Sequence, residues 1–181
     1  MSVFKQPLWP RFLPTAWVVS CATLGPIGRI RKAPGTWGSV AGLMYFTVAF
    51  AGLGQSRFGD VWLVLFSLAG AYFSMAICGE AEFRLGERDP GKVVLDEFVA
   101  MPLCFIGWTR FGDVVPANYN WVIFLTGFAL FRLFDISKPL GISKLQDLPG
   151  GWGVTIDDTA AALAACATMH AAHWAWLTWG V

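Results

Sequence analysis

The stretch VWLVLFSLAGAYFSMAICG, residues 61–79, decides the fold class. It carries no charge and lacks the period-2 alternation of a half-buried strand. At about 1.5 Å per helical residue it is also long enough to cross a hydrocarbon core roughly 30 Å thick. Four further apolar runs flank it: Val40 to Leu53, Phe98 to Trp108, Tyr119 to Phe134 and Thr159 to Val181. The first two of these are short for a span, the third contains Arg132, and the last is Ala-rich and carries His170 and His173. Residues 61–79 are therefore the one clean spanning candidate. The runs are joined by Gly and Pro punctuation, so the sequence predicts an all-α, multihelical, membrane-associated bundle with Gly/Pro-rich active-site loops. A soluble, very apolar bundle is the alternative.

Composition points the same way. Hydrophobic residues make up 56% of the 181 and charged residues 14%, against roughly 45–50% and about 25% in soluble domains. Eight of the ten tryptophans (Trp9, Trp17, Trp62, Trp108, Trp121, Trp174, Trp176 and Trp179) lie near the ends of apolar runs, where interfacial aromatics collect. No composition shift divides the chain, which predicts one domain over residues 1–181. Lys5 and Arg11 precede an apolar stretch without a small-residue cleavage site, so the N-terminus is expected to be retained. Basic residues at Arg29, Arg31 and Lys32, at Arg84, Arg88 and Lys92, and at Lys138 and Lys144 place those loops on the cytoplasmic side. A net charge of +1 excludes a bulk basic field for nucleic acid. Cys21, Cys78, Cys104 and Cys166 are far apart in apolar segments and read as reduced core residues.

Locally, residues 33–39 read as a loop, with Thr36 or Ser39 capping a helix from about Val40, and Asp60 capping the next. A helix runs into Asp96 and Glu97 after the turn Asp89-Pro90-Gly91, and another covers Trp121 to Ser137. Lys138 to Gly153 is an irregular connector. The final helix is expected near Asp157, which makes capping an alternative role for Asp157 or Asp158.

The chemistry starts from two carboxylate pairs in apolar surroundings, Asp96-Glu97 and Asp157-Asp158. Ionised carboxylates removed from water are costly unless donors or a cation compensate, and a divalent ion compensates for both pairs. Arg132 and Asp135 fall at i, i+3, with Lys138 following; they form either an internal ion pair or a phosphate clamp. Pro34 to Ser39 and Gly150 to Gly153 offer backbone N–H groups that an anion can approach, although neither matches a nucleotide-binding fingerprint. His170 and His173 read as interfacial or packing residues. Together these parts suit Mg²⁺-assisted phosphoryl chemistry, with water or an aspartyl-phosphate route equally legal. A small ion-translocating membrane protein with buried acids is the alternative function, and a structural bundle with internal ion pairs a weaker one.

Four blocks carry a resemblance: Ala33 to Ser39 (APGTWGS), Asp89 to Phe98 (DPGKVVLDEF), Phe131 to Pro139 (FRLFDISKP) and Leu148 to Asp158 (LPGGWGVTIDD). In this order they closely resemble the phosphatidylglycerophosphatase A family. The resemblance implies a Mg²⁺-dependent membrane phosphatase that converts phosphatidylglycerophosphate to phosphatidylglycerol and phosphate at the cytoplasmic face of a bacterial-type inner membrane. Carried over by position, it implies catalytic Asp96, Glu97, Arg132, Asp135, Lys138 and Asp158. Metal ligation falls to Asp96, Glu97, Asp157 and Asp158. Substrate phosphate falls to Gly35, Thr36, Ser39, Arg132, Lys138, Gly150 and Gly151. Ala100, Gly141, Ser143 and Gln146 depart from the residues usual in the family, which makes 140–147 the least conforming segment. Oligomeric state is left open.

Overall fold

The structure, a computed structural model, describes residues 5–52, 56–139 and 141–180; the ends of the runs at Leu53 and Val181 lie outside the described residues. Among these the protein is all-α, 76% helical and without strands. Six α-helices follow in order: α1 Thr15–Ala22, α2 Pro34–Ala49, α3 Gly59–Leu85, α4 Leu95–Ala100, α5 Asn120–Ser137 and α6 Gly151–Trp179, linked by short 3-10 turns. The long helices α3 and α5 both pack on α6, and α4 wedges among α2, α3 and α6.

One core gathers Phe46, Met101, Phe105, Phe131, Ala161, Ala165 and Met169 between α2, α5 and α6. The other joins Val18, Ala22, Ile77, Val93, Leu95 and Val154 around α1, α3 and the start of α4. Helix α6 closes on its neighbours through small residues. Ala161, Ala162 and Ala165 are fully buried, and a Cβ on Gly151 would sit 1.8 Å from the carbonyl oxygen of Met75. Small residues at a helix crossing let the backbones approach in this way.

The outside is also apolar. Leu65, Phe66, Leu68 and Tyr72 of α3, and Trp121, Leu125, Leu133 and Ile136 of α5, are exposed. Two helical stretches, Gly59–Leu85 and Ala117–Ser137, are long and apolar enough to cross a membrane. Arg132 does not disqualify the second, because it sits near the helix end and points into the protein (side chain 16% exposed).

Three local expectations are corrected. Helix α2 starts at Pro34, whose fixed φ suits the first helical position, so Thr36 and Ser39 lie inside it and cap nothing. Asp60 sits in the first turn of α3 and caps no N-terminus; it accepts instead from the backbone N–H of Gly107 at 2.9 Å. Helix α6 begins at Gly151, one to two turns before Asp157 and Asp158, which removes the capping role for both. The glycines taken as loop residues fit that first turn because their neighbours leave room for nothing larger, α3 at Gly151 and the carbonyls of Gln146 and Leu148 at Gly153.

Candidate active site

Asp96 and Glu97 occupy the first turn of α4, where Gly35 and Gly38 of α2 allow close approach. A Cβ on Gly35 would lie 2.1 Å from Glu97 Oε1, and one on Gly38 would lie 2.8 Å from Val94 Cβ. Asp158 projects from α6 toward the same point. Carboxylate oxygens of Asp96, Glu97 and Asp158 all lie within 4.8 Å of one another. Asp135 of α5 is in hydrogen-bonding contact with Asp158, as Asp96 is with Glu97. Two carboxyl groups in such contact need a proton or a cation between them.

Burial sharpens that demand. Asp96 and Asp158 are each 4% exposed. Burial first, then the neighbouring Glu97 carboxylate, pushes the Asp96 carboxyl well above its ordinary range. Burial, then the Glu97 and Asp135 charges, does the same to Asp158. Glu97 is raised more modestly, by burial against the opposing effect of its hydrogen bond with Asp96.

The cations stand on α5 and its end. One guanidinium nitrogen of Arg132 donates to Asp135 Oδ2 at 2.6 Å and to Ser39 Oγ at 3.3 Å, and lies 3.8 Å from Glu97 Oε1. Ser39 is fixed in turn by donating to the carbonyl oxygen of Gly35 at 2.9 Å. Lys138 closes α5 in a left-handed conformation, φ +42°, which turns its side chain toward α6, where it pairs with Asp157. Glu97 Oε2, Arg132 Nε and Asp157 Oδ1 are buried without a hydrogen-bond partner among the described residues. Unmatched buried donors and acceptors of this kind mark a place for a ligand.

Most of the expected residues therefore meet. Asp96, Glu97, Asp158, Asp135, Arg132, Ser39, Gly35 and, through Asp157, Lys138 form one constellation. Asp157 is the exception among the metal candidates, since adjacent helical residues point about 100° apart and it faces Lys138. Gly150 and Gly151 do not form the expected anion loop. Gly151 donates its N–H to Gln6 Oε1 at 3.2 Å and packs on α3, and Gly150 lines a charged surface pocket with Gln6 and Arg88. Thr36 is half-buried in α2 beside Gly35. Asp135 was expected to help with the metal or with orientation, and the structure sets it both against Arg132 and beside Asp158. Cys78 and Arg84 stand at the C-x5-R spacing of cysteine phosphatases. Both lie within α3, however, with Cys78 buried against Ser74 and Arg84 bonded to Glu80 and the carbonyl of Leu13; Cys104 and Arg110 share the spacing, but Cys104 is fully buried in the core, so neither thiol is open to a phosphate. His170 donates its Nε2–H to the carbonyl of Ile106 and, like His173, packs on Phe111.

Carboxylates that cannot ionise together could hold a metal ion, and a guanidinium with a donor to spare can meet an anion; in an apolar helical frame such a site suits a phosphatase, a phosphoric monoester hydrolase. Sequence comparison carries the class to a family. The profile of Phosphatidylglycerophosphatase A matches residues 20–173, and the chain belongs to that family. It is 34% identical to a phosphatidylglycerophosphatase A of Haemophilus influenzae over 80% of this chain and 81% of that protein. It is equally, 34%, identical to a Bacteroides thetaiotaomicron protein provisionally named a phosphatidylinositol-3-phosphatase, over 78% of this chain and 84% of that one. With the phosphatidylglycerophosphatase A of Escherichia coli it shares 26% identity over 78% and 76%. No solved structure matches the chain significantly.

Proposed function

We propose that this protein is a single-domain, Mg²⁺-dependent phosphatase that hydrolyses the terminal phosphate of phosphatidylglycerophosphate, giving phosphatidylglycerol and phosphate, at the cytoplasmic face of the inner membrane. The observation that carries the reading is the set of three carboxylates within 4.8 Å, facing Arg132. Hard oxygen donors suit Mg²⁺, and Asp96, Glu97 and Asp158 would hold it. When bound, it supplies Lewis-acid charge at the phosphoryl oxygens.

The chain's own residues do the rest. Arg132 meets the phosphate with its unpaired Nε–H, while Asp135 and Ser39 fix the plane of its guanidinium. Lys138, held by Asp157, adds positive charge where the leaving group departs. Water is the attacking nucleophile. The deep setting of the carboxylates excludes bulk water and strengthens each of these interactions.

Placement favours a phosphatase over ion translocation. Asp96 is at the start of α4, Asp135 near the end of α5 and Asp158 in the first third of α6, so the acids collect at helix ends and not at the middle of the apolar helices. With α3 and α5 taken to cross the bilayer, that arrangement supports a site at the interface, where a phosphorylated headgroup can reach it. The test is phosphate release by purified protein in detergent micelles, with phosphatidylglycerophosphate and phosphatidylinositol 3-phosphate in parallel, each with and without Mg²⁺. Release from the second lipid alone would replace the substrate; release independent of divalent cation would remove the metal.

A further inference from the structure

We propose that Arg31, Lys32 and Lys92, with Arg29 beside them, form a subsite for the second phosphate of the lipid substrate, the phosphodiester that is not cleaved and remains on the product. The proposal rests on the function proposed above and adds a specificity element to it.

Two chain segments carry these cations, and the backbone holds them together. Gly28 lies so close to Lys92 that a Cβ would meet its carbonyl oxygen at 2.0 Å. Two residues on, the N–H of Val94 donates to the carbonyl of Ala22 at 2.9 Å. Arg29 follows directly from that crossing, and Arg31 and Lys32 continue to the start of α2. All four side chains are exposed, and none makes an ion pair among the described residues. Like charges carried on adjoining backbone segments repel one another, and an anion between them relieves the repulsion. The acids nearby do not do so. Asp96 is buried, Glu97 faces Arg132, and Asp89, which accepts from Gln146, makes no ion pair with these cations among the described residues.

Their position identifies the anion. Lys32 is three residues before Gly35, which touches Glu97, and Lys92 is four residues before Asp96. Even a fully extended chain would put the Cα of Lys92 within about 14 Å of the Cα of Asp96, and that of Lys32 within about 11 Å of Gly35. A lipid whose terminal monoester sits at Asp96, Glu97 and Asp158 carries its diester one short polyol away, toward this rim. The diester is a fixed monoanion that needs no metal, which suits a purely cationic, solvated patch.

The experiment uses the full-length protein in neutral detergent micelles, with the double variant Arg31→Glu/Lys32→Glu and, separately, Lys92→Glu. These positions are exposed, so folding should be unaffected. The expected result is a rise of about tenfold in KM for phosphatidylglycerophosphate with kcat within about twofold. Inhibition by the product phosphatidylglycerol, which keeps only the diester, should weaken by a similar factor, while inhibition by inorganic phosphate should not change. An unchanged KM, or an equal loss of inhibition by inorganic phosphate, overturns the subsite. A KM effect that appears only when phosphatidylserine is added to the micelles also overturns it, and makes the patch a general anionic-membrane contact. If the unaltered protein releases no phosphate from phosphatidylglycerophosphate, the proposed activity fails instead, and direct calorimetric binding of phosphatidylglycerol to wild type and variants still decides the subsite.

Discussion

Gly35→Ala separates folding from function at a single methyl group. Gly35 has an ordinary helical backbone, so alanine is conformationally acceptable there and in isolation gains up to about 1 kcal/mol of helix propensity. The obstacle is the added Cβ, 2.1 Å from Glu97 Oε1 and 3.2 Å from its Cδ. The atom in the way is the end of a flexible side chain, so Glu97 can swing aside at little cost to the fold, but it must move by about 1 Å, and a displacement of that size at a reacting centre costs on the order of 10²-fold. The same methyl would also stand 3.5 Å from the Arg132 guanidinium, which it can touch without displacing. The expectation is therefore a thermal midpoint within a few degrees of wild type together with a fall of about 10²-fold in kcat. Gly38→Ala is the contrast: its Cβ would strike Val94 Cβ at 2.8 Å and the Val94 carbonyl oxygen at 2.9 Å, neither of which can rotate away, so it should lower stability first. Steady-state phosphate release and thermal melts of both variants provide the comparison. Near-normal turnover by Gly35→Ala would show that Glu97 is not needed where the structure puts it, and the metal-ligand role of that residue would fall.

Asp96→Asn and Asp158→Asn should each reduce turnover by at least about 10²-fold in a folded protein, and Mg²⁺, which should raise the melting temperature of wild type, should not raise theirs; a variant that keeps a Mg²⁺-induced shift is not missing a ligand. Arg132→Lys should lose about 10²-fold although charge is kept, because an ammonium cannot hold Asp135, Ser39 and a phosphate in one plane, and normal activity would reduce Arg132 to a point charge. Without divalent cation, in chelator, stability should fall as pH rises. The folded Asp96 carboxyl titrates well above its ordinary 3.8, so the folded state binds the extra proton and the stabilisation, complete at low pH, is lost on passing upward through the raised value; a melting temperature that climbs over that range contradicts the burial. Single cysteines at Lys32, Lys92 and Lys144, with Cys21 replaced and the three buried native cysteines left in place, should all be labelled by an impermeant reagent from the cytoplasmic side only, and labelling from opposite faces would split the site.

The helical class was readable because apolar runs such as 61–79 admit no other secondary structure, and the pairing of Arg132 with Asp135 followed from their i, i+3 spacing. What could not be read was long-range close approach. Nothing local distinguishes Gly35, which makes room for Glu97, from Gly151, which makes room for the backbone of α3; both look like loop glycines beside a helix start. The same limit explains Asp157 and Asp158. As neighbours they read as a pair, but helical geometry turns one to Lys138 and the other to Asp96 and Glu97, and only the packing of α6 decides which. Asp60 looked like a cap because caps are the commonest use of an acid before an apolar run; its partner, the Gly107 N–H, is 47 residues away.

Charge balance explains why the site needs more than its own cations. Five carboxylates, Asp96, Glu97, Asp135, Asp157 and Asp158, converge on two cationic side chains, and each cation is already engaged: Arg132 by Asp135, Lys138 by Asp157. The remaining three are the set whose oxygens lie within 4.8 Å. A phosphate monoester brings further negative charge into this low-dielectric place, where repulsion is strong. Protonating the carboxylates would let the ester in but would remove the groups that could hold a metal or orient water. A bound divalent cation would offset two of the three charges, so that Asp96, Glu97 and Asp158 could ionise together and the phosphate would meet a single residual negative charge in place of three. Arg132 and Lys138 are then left to recognise geometry and stabilise charge in the transition state, which is why their loss should appear in kcat, whereas loss of the solvated cations at Arg31, Lys32 and Lys92 should appear in KM.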